Sequence, residues 1–338
     1  MRLLILSSPD YKRYGGSKPE VYERMKAALG RAGIEAIHRF VTTRERLVED
    51  LEELRPDLVY AAVDRTIEED GSHRISELLE EMGVPYVGSD PTGLDIALFK
   101  DRAKAVWAEE GIRTPEFFVL NSPSDLPHLP PDRFPVIVKP LGGGGSRGIT
   151  ESCVAFDFEQ LKKAVDEMGG GLIVERYIRG REFTVSIIGN GEDKLIAPSE
   201  LVPRAGFRPL VITYEIKEGP VGSRPVEPEP VEDERLRKEL ARFAEAMFDS
   251  CGLKDYGRAD IIMDERGEMH AIEINAQPVF ESYFLTGFKP FGLGFDEVVN
   301  LVIYASILRH RSEGREMPTP PLIGEVVPIE LLRRLSVR

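Results

Sequence analysis

The chain has little of what would tie it to an oxidising compartment, a membrane or a nucleic acid. Its two cysteines, Cys153 and Cys251, stand far apart without C-x-x-C spacing, which suggests neither a disulfide framework nor a zinc site. No stretch approaches the ~18–20 consecutive apolar residues of a membrane-spanning helix. The opening MRLLILSSPDYKRYGG carries only about five apolar residues before polar ones begin, too short for a secretory h-region. The expected location is the cytoplasm. Basic residues are also in deficit, with 44 Lys+Arg against 58 Asp+Glu and a net charge of −14. A phosphate backbone needs a basic face, and none dominates, so neither a nucleic-acid nor a membrane partner is expected. A local basic pocket for a small anion remains open.

What the chain does hold is 42% hydrophobic and 30% charged residues over 338 positions. That is the balance of a globular protein with room for two or three domains of about 100–150 residues. The first ninety residues alternate apolar strands with helices. LLILS at 3–7, IEAIHRF at 34–40, DLVYAAV at 57–63 and PYVG at 85–88 read as strands. PEVYERMKAALGRAG, RERLVEDLEELRP and residues 73–82 read as helices, the first with Val21, Met25, Ala28 and Leu29 on one face. The alternation predicts an α/β unit over 1–90, a Rossmann-like parallel sheet with helices on its faces.

Asp90 and Pro91 cap and start a helix expected over 91–110. Strands such as PVIVKP and LIVERY around a helix at 158–168 then predict an α+β layer over 91–180. A larger sheet is expected over 181–312, with a proline-rich loop at 201–230, a helix at 231–250, a hairpin from YGRADIIMD and EMHAIEIN, and a late amphipathic helix in FDEVVNLVIYASIL. Residues 313–338 read as a proline-rich and then basic tail without an assignable role.

KPLGGGGSRGI at 139–149 looks like a phosphate cradle of uncertain kind. A P-loop places a lysine and a hydroxyl directly after its glycines, whereas Arg147 and Gly148 stand there in this chain. A dinucleotide fingerprint requires a helix at once after the glycines, and none is predicted. What remains is a glycine hairpin whose amide N–H groups close over an anion, with Lys139 at the end of the preceding strand. Taken alone, the run is equally a flexible surface turn.

It does not stand alone. Arg258 and Asp260 are two apart on one predicted strand, as are Glu273 and Asn275 on the next, so each pair shares a face. With Arg266 and Gly267 at the centre of the turn, Asp260 falls opposite Glu273 and Arg258 opposite Asn275, and a bulge would shift this by a residue. Asp, Glu and Asn supply hard oxygen ligands suited to magnesium held between protein carboxylates and nucleotide phosphates. The competing reading is a cross-strand salt bridge on a solvated face. Against it stands the cost of bringing two carboxylates together without a cation.

IVKP with its glycine loop, LIVERYIRGREFTV, GRADIIMD and IEIN, in this order, resemble the ATP-grasp superfamily and most closely the D-alanine:D-alanine ligase family. The resemblance covers roughly residues 1–310 and includes PYVGSD leading into the lysine-bearing helix. It implies the ATP-grasp fold, with ATP between two sheets and Mg2+ or Mn2+ as the metal. It implies that Lys100 and Lys139 contact the phosphates, that Glu175, Tyr177 and Ile178 form the hinge that reads adenine, and that Glu182 binds the ribose hydroxyls. Gly143, Gly144 and Ser146 are implied in the lid, Ile272 beside the nucleotide, and Lys217 at the γ-phosphate once its loop closes. Asp260, Glu273 and Asn275 match the metal ligands, while Arg258 and the Val279 backbone N–H match the oxyanion donors. On sequence alone, Lys100 reads as a solvated helix lysine and Glu175 as an edge-strand charge.

The implied chemistry is ATP-driven formation of an amide or peptide bond. The γ-phosphoryl group moves to a carboxylate, an amine attacks the acyl phosphate, and ADP and phosphate leave. The implied partners are small carboxylates and amines, amino acids or short peptides, with a homodimer by analogy.

The likeness breaks in the amino-acid pocket. YGGSKPEVYERM lacks a counterpart for the glutamate that anchors the first substrate; Gly145 stands at the lid serine and Glu218 at the tyrosine after TYEIK. QPVFESYFLTGF replaces a proline-glycine-methionine-threonine run and puts Phe284 where a serine receives the second substrate's carboxylate. The expectation is a ligase whose acid, amine or both differ from D-alanine, with Phe280, Tyr283 and Phe284 either lining the altered pocket or packing in the core. A non-catalytic ATP-binding protein and an ATP-grasp carboxylase remain the alternatives.

Overall fold

The computed structural model describes residues 1–11, 16–68, 72–144, 146, 148–207, 209–217 and 222–336. Gly145, Arg147 and Glu218, which the sequence places at the lid, lie outside the described residues. Strands β1 (Arg2–Ser7), β2 (Glu35–Phe40) and β3 (Leu58–Ala61) form a parallel sheet in the order β2-β1-β3. Leu3 and Ile5 pack with Tyr22, Met25 and Leu29 of the helix Pro19–Arg31. Leu4 and Leu6 pack on the other face, against the helices Arg44–Leu54 and Ile75–Glu81. A strand covered on both faces has no polar side to show, hence its unbroken apolar run.

The strand expected at 85–88 is a single parallel bridge, Tyr86 to Val59. Gly88 turns away at φ +102° and gives its N–H to the Asp255 carboxylate at 2.7 Å.

The helix expected over 91–110 is two helices, Pro91–Leu98 and Lys100–Glu109. Phe99 between them is extended and bridges to Gly142. The Gly143 N–H donates to the Leu98 carbonyl at 3.3 Å and the Lys100 N–H to the Leu141 carbonyl at 3.0 Å. The base of the glycine loop therefore takes backbone groups that a continuous helix would use internally, and Lys100 begins a new helix facing the loop.

β4 (Phe117–Leu120), β5 (Val136–Pro140), β6 (Val154–Ala155) and β7 (Leu172–Arg176) make an antiparallel sheet in the order β4-β7-β5-β6. Val136, Val138, Leu172 and Val174 pack on the helix Phe158–Met168. Strand alternation leaves Ile137, Lys139, Ile173 and Glu175 on the opposite face.

β8 (Gly180–Asn190), β9 (Asp193–Pro203), β10 (Val226–Pro230), β11 (Tyr256–Asp264) and β12 (Met269–Asn275) form the second antiparallel sheet, ordered β10-β9-β8-β11-β12. The span expected as a loop over 201–230 holds the end of β9, the short helix Tyr214–Lys217 and β10, because Val226–Pro230 completes the sheet edge against β9. Phe183, Val185, Ala259, Ile261 and Ile274 pack on the helix Glu234–Ser250, which leaves Thr184, Ser186, Arg258, Asp260, Glu273 and Asn275 on the other face.

The helix Phe295–Ser312 is not amphipathic as expected but buried on almost all sides. It lies among residues of the parallel sheet and of β8 and β9, and the 313–336 segment closes over it through Met317, Ile323, Val327, Leu332 and Leu335. Among the described residues, no single helix is long and apolar enough to cross a membrane.

Candidate active site

The hairpin of β11 and β12 carries the acidic half of the site. Asp260 pairs with Glu273 and Arg258 with Asn275, as the spacing predicts, but by a different route. Near the turn, Met263 faces Met269 and Ile261 faces Ala271; a regular ladder from there would put apolar Ile272 opposite Asp260. A β-bulge at this point absorbs Ile272 and brings Glu273 into place.

Arg258 donates to Asp260 through Nε and Nη2, both at 3.0 Å, and the Thr184 hydroxyl adds a third bond to Asp260 at 3.0 Å. Burial pushes the Asp260 carboxyl up, but the Arg258 charge and hydrogen bonds, with Lys217 and Thr184, outweigh it and hold the group below the usual carboxylate range. The expected repulsion between the two carboxylates is thus partly offset by protein cations: Arg258 at Asp260, and Lys100 at 4.0 Å from Glu273. Among the described residues no three His, Cys, Asp or Glu side chains group as a metal site. The donor set is two carboxylates and the Asn275 amide, whose Oδ1 accepts the Gln277 N–H at 2.9 Å. These hard oxygens on paired positions fit magnesium that completes its shell with water and phosphate.

The basic half comes from the other sheet and the helix below it. Lys139 donates to Glu175 at 2.9 Å, and Lys100 donates to the Gly143 carbonyl at 2.9 Å. Neither residue matches its bland reading: Lys100 is 8% exposed, and Glu175, 1% exposed, lies on a central strand. Lys104 was not anticipated. It is wholly buried, donates to the Thr114 hydroxyl at 2.8 Å and stands 3.5 Å from Glu175. Thr114 passes the link on to the Ala271 carbonyl of β12 at 2.8 Å, so one lysine ties both sheets together. Burial lowers the Lys104 ammonium to about 8 against the pull of Glu175. Its spacing, four residues after Lys100 and three before Trp107, puts it on their helix face, but that face is seen to be the inward one only from the burial of Trp107.

Glu182 begins the polar row of β8, and burial raises its carboxyl while Lys217 opposes the shift. Lys217 lies with Nζ 5.8 Å from the Tyr283 ring centroid. Tyr177 donates its hydroxyl to the Leu210 carbonyl at 2.6 Å, and Ile178 follows it in the link between the two sheets. Gly143 and Ser146 adopt positive φ, +85° and +57°, and Gly144 has open space around it. Val279 is half-buried just beyond β12. Phe280 and Phe284, 3% and 0% exposed, belong to the aromatic core with Tyr60, Tyr256 and Phe295. Of the three aromatics considered for the pocket, Tyr283 alone among the described residues stands beside a site lysine, Lys217, with Arg224 also 5.6 Å from its ring centroid.

Two antiparallel sheets presenting lysines on one side and oxygen ligands on the other, joined by a glycine loop and preceded by a parallel α/β sheet, define an ATP-grasp enzyme. A family model described as D-ala D-ala ligase C-terminus matches residues 106–304, and the chain belongs to that family. It is similar to the D-alanine–D-alanine ligase of Bordetella avium, 28% identical over 301 residues, covering 85% of this chain and 89% of that one. The Bordetella pertussis enzyme of the same name is 29% identical over 294 residues, with 86% and 90% covered. The crystal structure of the Bacillus anthracis D-alanine–D-alanine ligase superposes with TM-score 0.71 at 23% identity, over 93% of this chain and all of that one. The chain is accordingly an ATP-dependent ligase of this type, forming carbon–nitrogen bonds with ATP and Mg2+.

Proposed function

We propose that the protein joins a carboxylate to an amine other than the D-alanine pair, through an acyl phosphate. The observation that carries this reading is Phe284. Its side chain is fully buried in the aromatic core at the position where the family resemblance puts a serine for the second substrate's carboxylate, so that anchor is gone.

In this reading Lys100, Lys139 and, with its loop closed, Lys217 neutralise the triphosphate as point charges. Asp260, Glu273 and Asn275 hold the metal, which supplies charge neutralisation at the transferring phosphoryl group. Glu175, Tyr177, Ile178 and Ile272 border the base, and Glu182 receives the ribose. Gly143, Gly144 and Ser146 cover the phosphates and exclude water from the acyl phosphate. Arg258 has two N–H groups engaged with Asp260, which fixes its plane. It points the Nη1 side, with the Val279 N–H, at the tetrahedral oxyanion. The chain divides for this task into units 1–90, 91–180 and 181–312, with 313–338 as a tail, and works in the cytoplasm on amino acids or short peptides.

Phosphate release measured with a panel of acids and amines tests the substrate claim. The expected outcome is faster turnover with some other pair than with D-alanine alone; D-alanine equalling the best pair contradicts it. ATP binding without ADP formation across the panel would instead favour a nucleotide-binding protein, and bicarbonate-dependent ADP release a carboxylase.

A further inference from the structure

With position 284 in the core, the acid group of an amino-acid acceptor needs another anchor, and the structure offers one a residue away. Arg224, 9% exposed just before β10, donates from Nη1 to the Ser282 hydroxyl at 2.5 Å. Its guanidinium carbon lies 5.6 Å from the Tyr283 ring centroid, and Lys217 lies 5.8 Å from the same ring. The Tyr283 ring packs beside Leu201, Ile212 and Val226. Its hydroxyl is buried and has no hydrogen-bond partner among the described residues, a state that a buried polar group rarely keeps. Arg258 and Asp260 are close enough to Tyr283 to perturb it, so the cluster adjoins the reacting end of the site.

We propose that Arg224, Ser282 and Tyr283 form a carboxylate-binding subsite for the amine-bearing substrate. A guanidinium carries five donors in a planar fork and meets a carboxylate edge to edge, while Ser282 and Tyr283 add hydroxyl donors. The anion is the acceptor's carboxylate and not a nucleotide phosphate, because of where the cluster sits. β10 is three strands from β11 across the sheet, about 14 Å between backbones, so Arg224 is rooted on the far side of the sheet from the metal-binding hairpin. The subsite rests on the ligase reading above and narrows it: the acceptor is an amino acid or peptide with a free carboxylate, held by the 224 and 282–283 segments.

The test uses the whole enzyme with ATP and Mg2+, a panel of carboxylic and amino acids as donors, and two matched acceptors, alanine (either enantiomer) and alaninamide. Hydroxylamine, a small nucleophile that traps acyl phosphates, reports separately whether the wild type activates an acid at all. The expected wild-type preference for alanine over alaninamide is about 10- to 100-fold in kcat/KM, the range of a charge-assisted pair of hydrogen bonds. Arg224→Met collapses that ratio toward one through the alanine KM, Arg224→Lys restores part of it, and Tyr283→Phe, the mildest change, lowers it several-fold. Equal use of both acceptors by the wild type overturns the proposal. So does an Arg224→Met enzyme that loses both acceptors in parallel and keeps the ratio, which is the mark of a merely structural arginine. No hydroxamate from any donor in the wild type sinks the ligase reading itself, and the subsite with it.

Discussion

Asp260 and Glu182 lie on the same sheet face and are tuned in opposite directions. Burial raises both, but Asp260 has Arg258 bonded to it and ends below its usual value, whereas Glu182 has only the fields of Lys217 and Lys139 in its favour and ends above. The stability consequences are opposite in sign. Asp260 supports the fold above its unfolded value near ~3.9, and that support is lost as pH falls through the lower folded value. For Glu182 the unfolded carboxyl ionises first, so stability declines as pH rises from about 4.3 toward the higher folded value. Urea denaturation of nucleotide-free protein should show Glu182→Gln gaining on the wild type as pH climbs from about 4 to 7. A variant that falls behind over that range would contradict the burial assigned to Glu182. The residue types of this site were readable in the sequence because i, i+2 spacing on a strand needs no tertiary information. Lys104 and the depth of Lys100 were not, since a lysine between two sheets looks like any helix lysine until the second sheet is placed.

The same limit shows at the scale of elements. The hairpin partners were legible, yet the turn spans 264–268 and the bulge at Ile272 makes up the difference, a cancellation that spacing alone could not reveal. The broken helix at Phe99 was illegible because its cause, the base of the glycine loop, lies over forty residues away in sequence. Close backbone approach gives the clearest element-scale test. Gly287 is the second residue of the 3-10 segment Thr286–Phe291, and a Cβ there would lie 2.2 Å from the Ala197 carbonyl oxygen of β9. Gly287→Ala must lift this segment, together with Tyr283 and Phe284 just before it, off the sheet. The expected loss is about 1–3 kcal/mol, the usual cost of overpacking, seen as a lower urea midpoint with unchanged slope. An unchanged midpoint would mean that the segment is not pressed against β9.

Across the whole molecule, one buried ion pair ties the parallel sheet to the five-stranded sheet. Asp255 is wholly buried before β11. It accepts from Arg309 Nε and Nη2 at 2.8 and 2.9 Å, from the Gly88 N–H at 2.7 Å and from Asn190 at 3.1 Å. Arg309 in turn donates to the Tyr86 carbonyl at 2.9 Å. Asp255→Asn should cost about 3–5 kcal/mol in denaturant unfolding, because it leaves the buried guanidinium with only the half-exposed Glu313, 3.3 Å away, as a charge partner. A loss below about 1 kcal/mol, the value of an exposed pair, would show that solvent reaches this junction. Strand and helix alternation revealed the sheets on either side of the junction; the pair itself joins positions more than fifty residues apart and left no local mark.

The join between Phe99 and Gly142 has a further consequence. The ammonium of Lys100 gives one of its three N–H groups to the Gly143 carbonyl, so an arriving phosphate can take another while the loop root stays bonded. One cation thereby serves both the root of the cover and the anion beneath it, so the charge that draws the ligand in also marks where its cover begins.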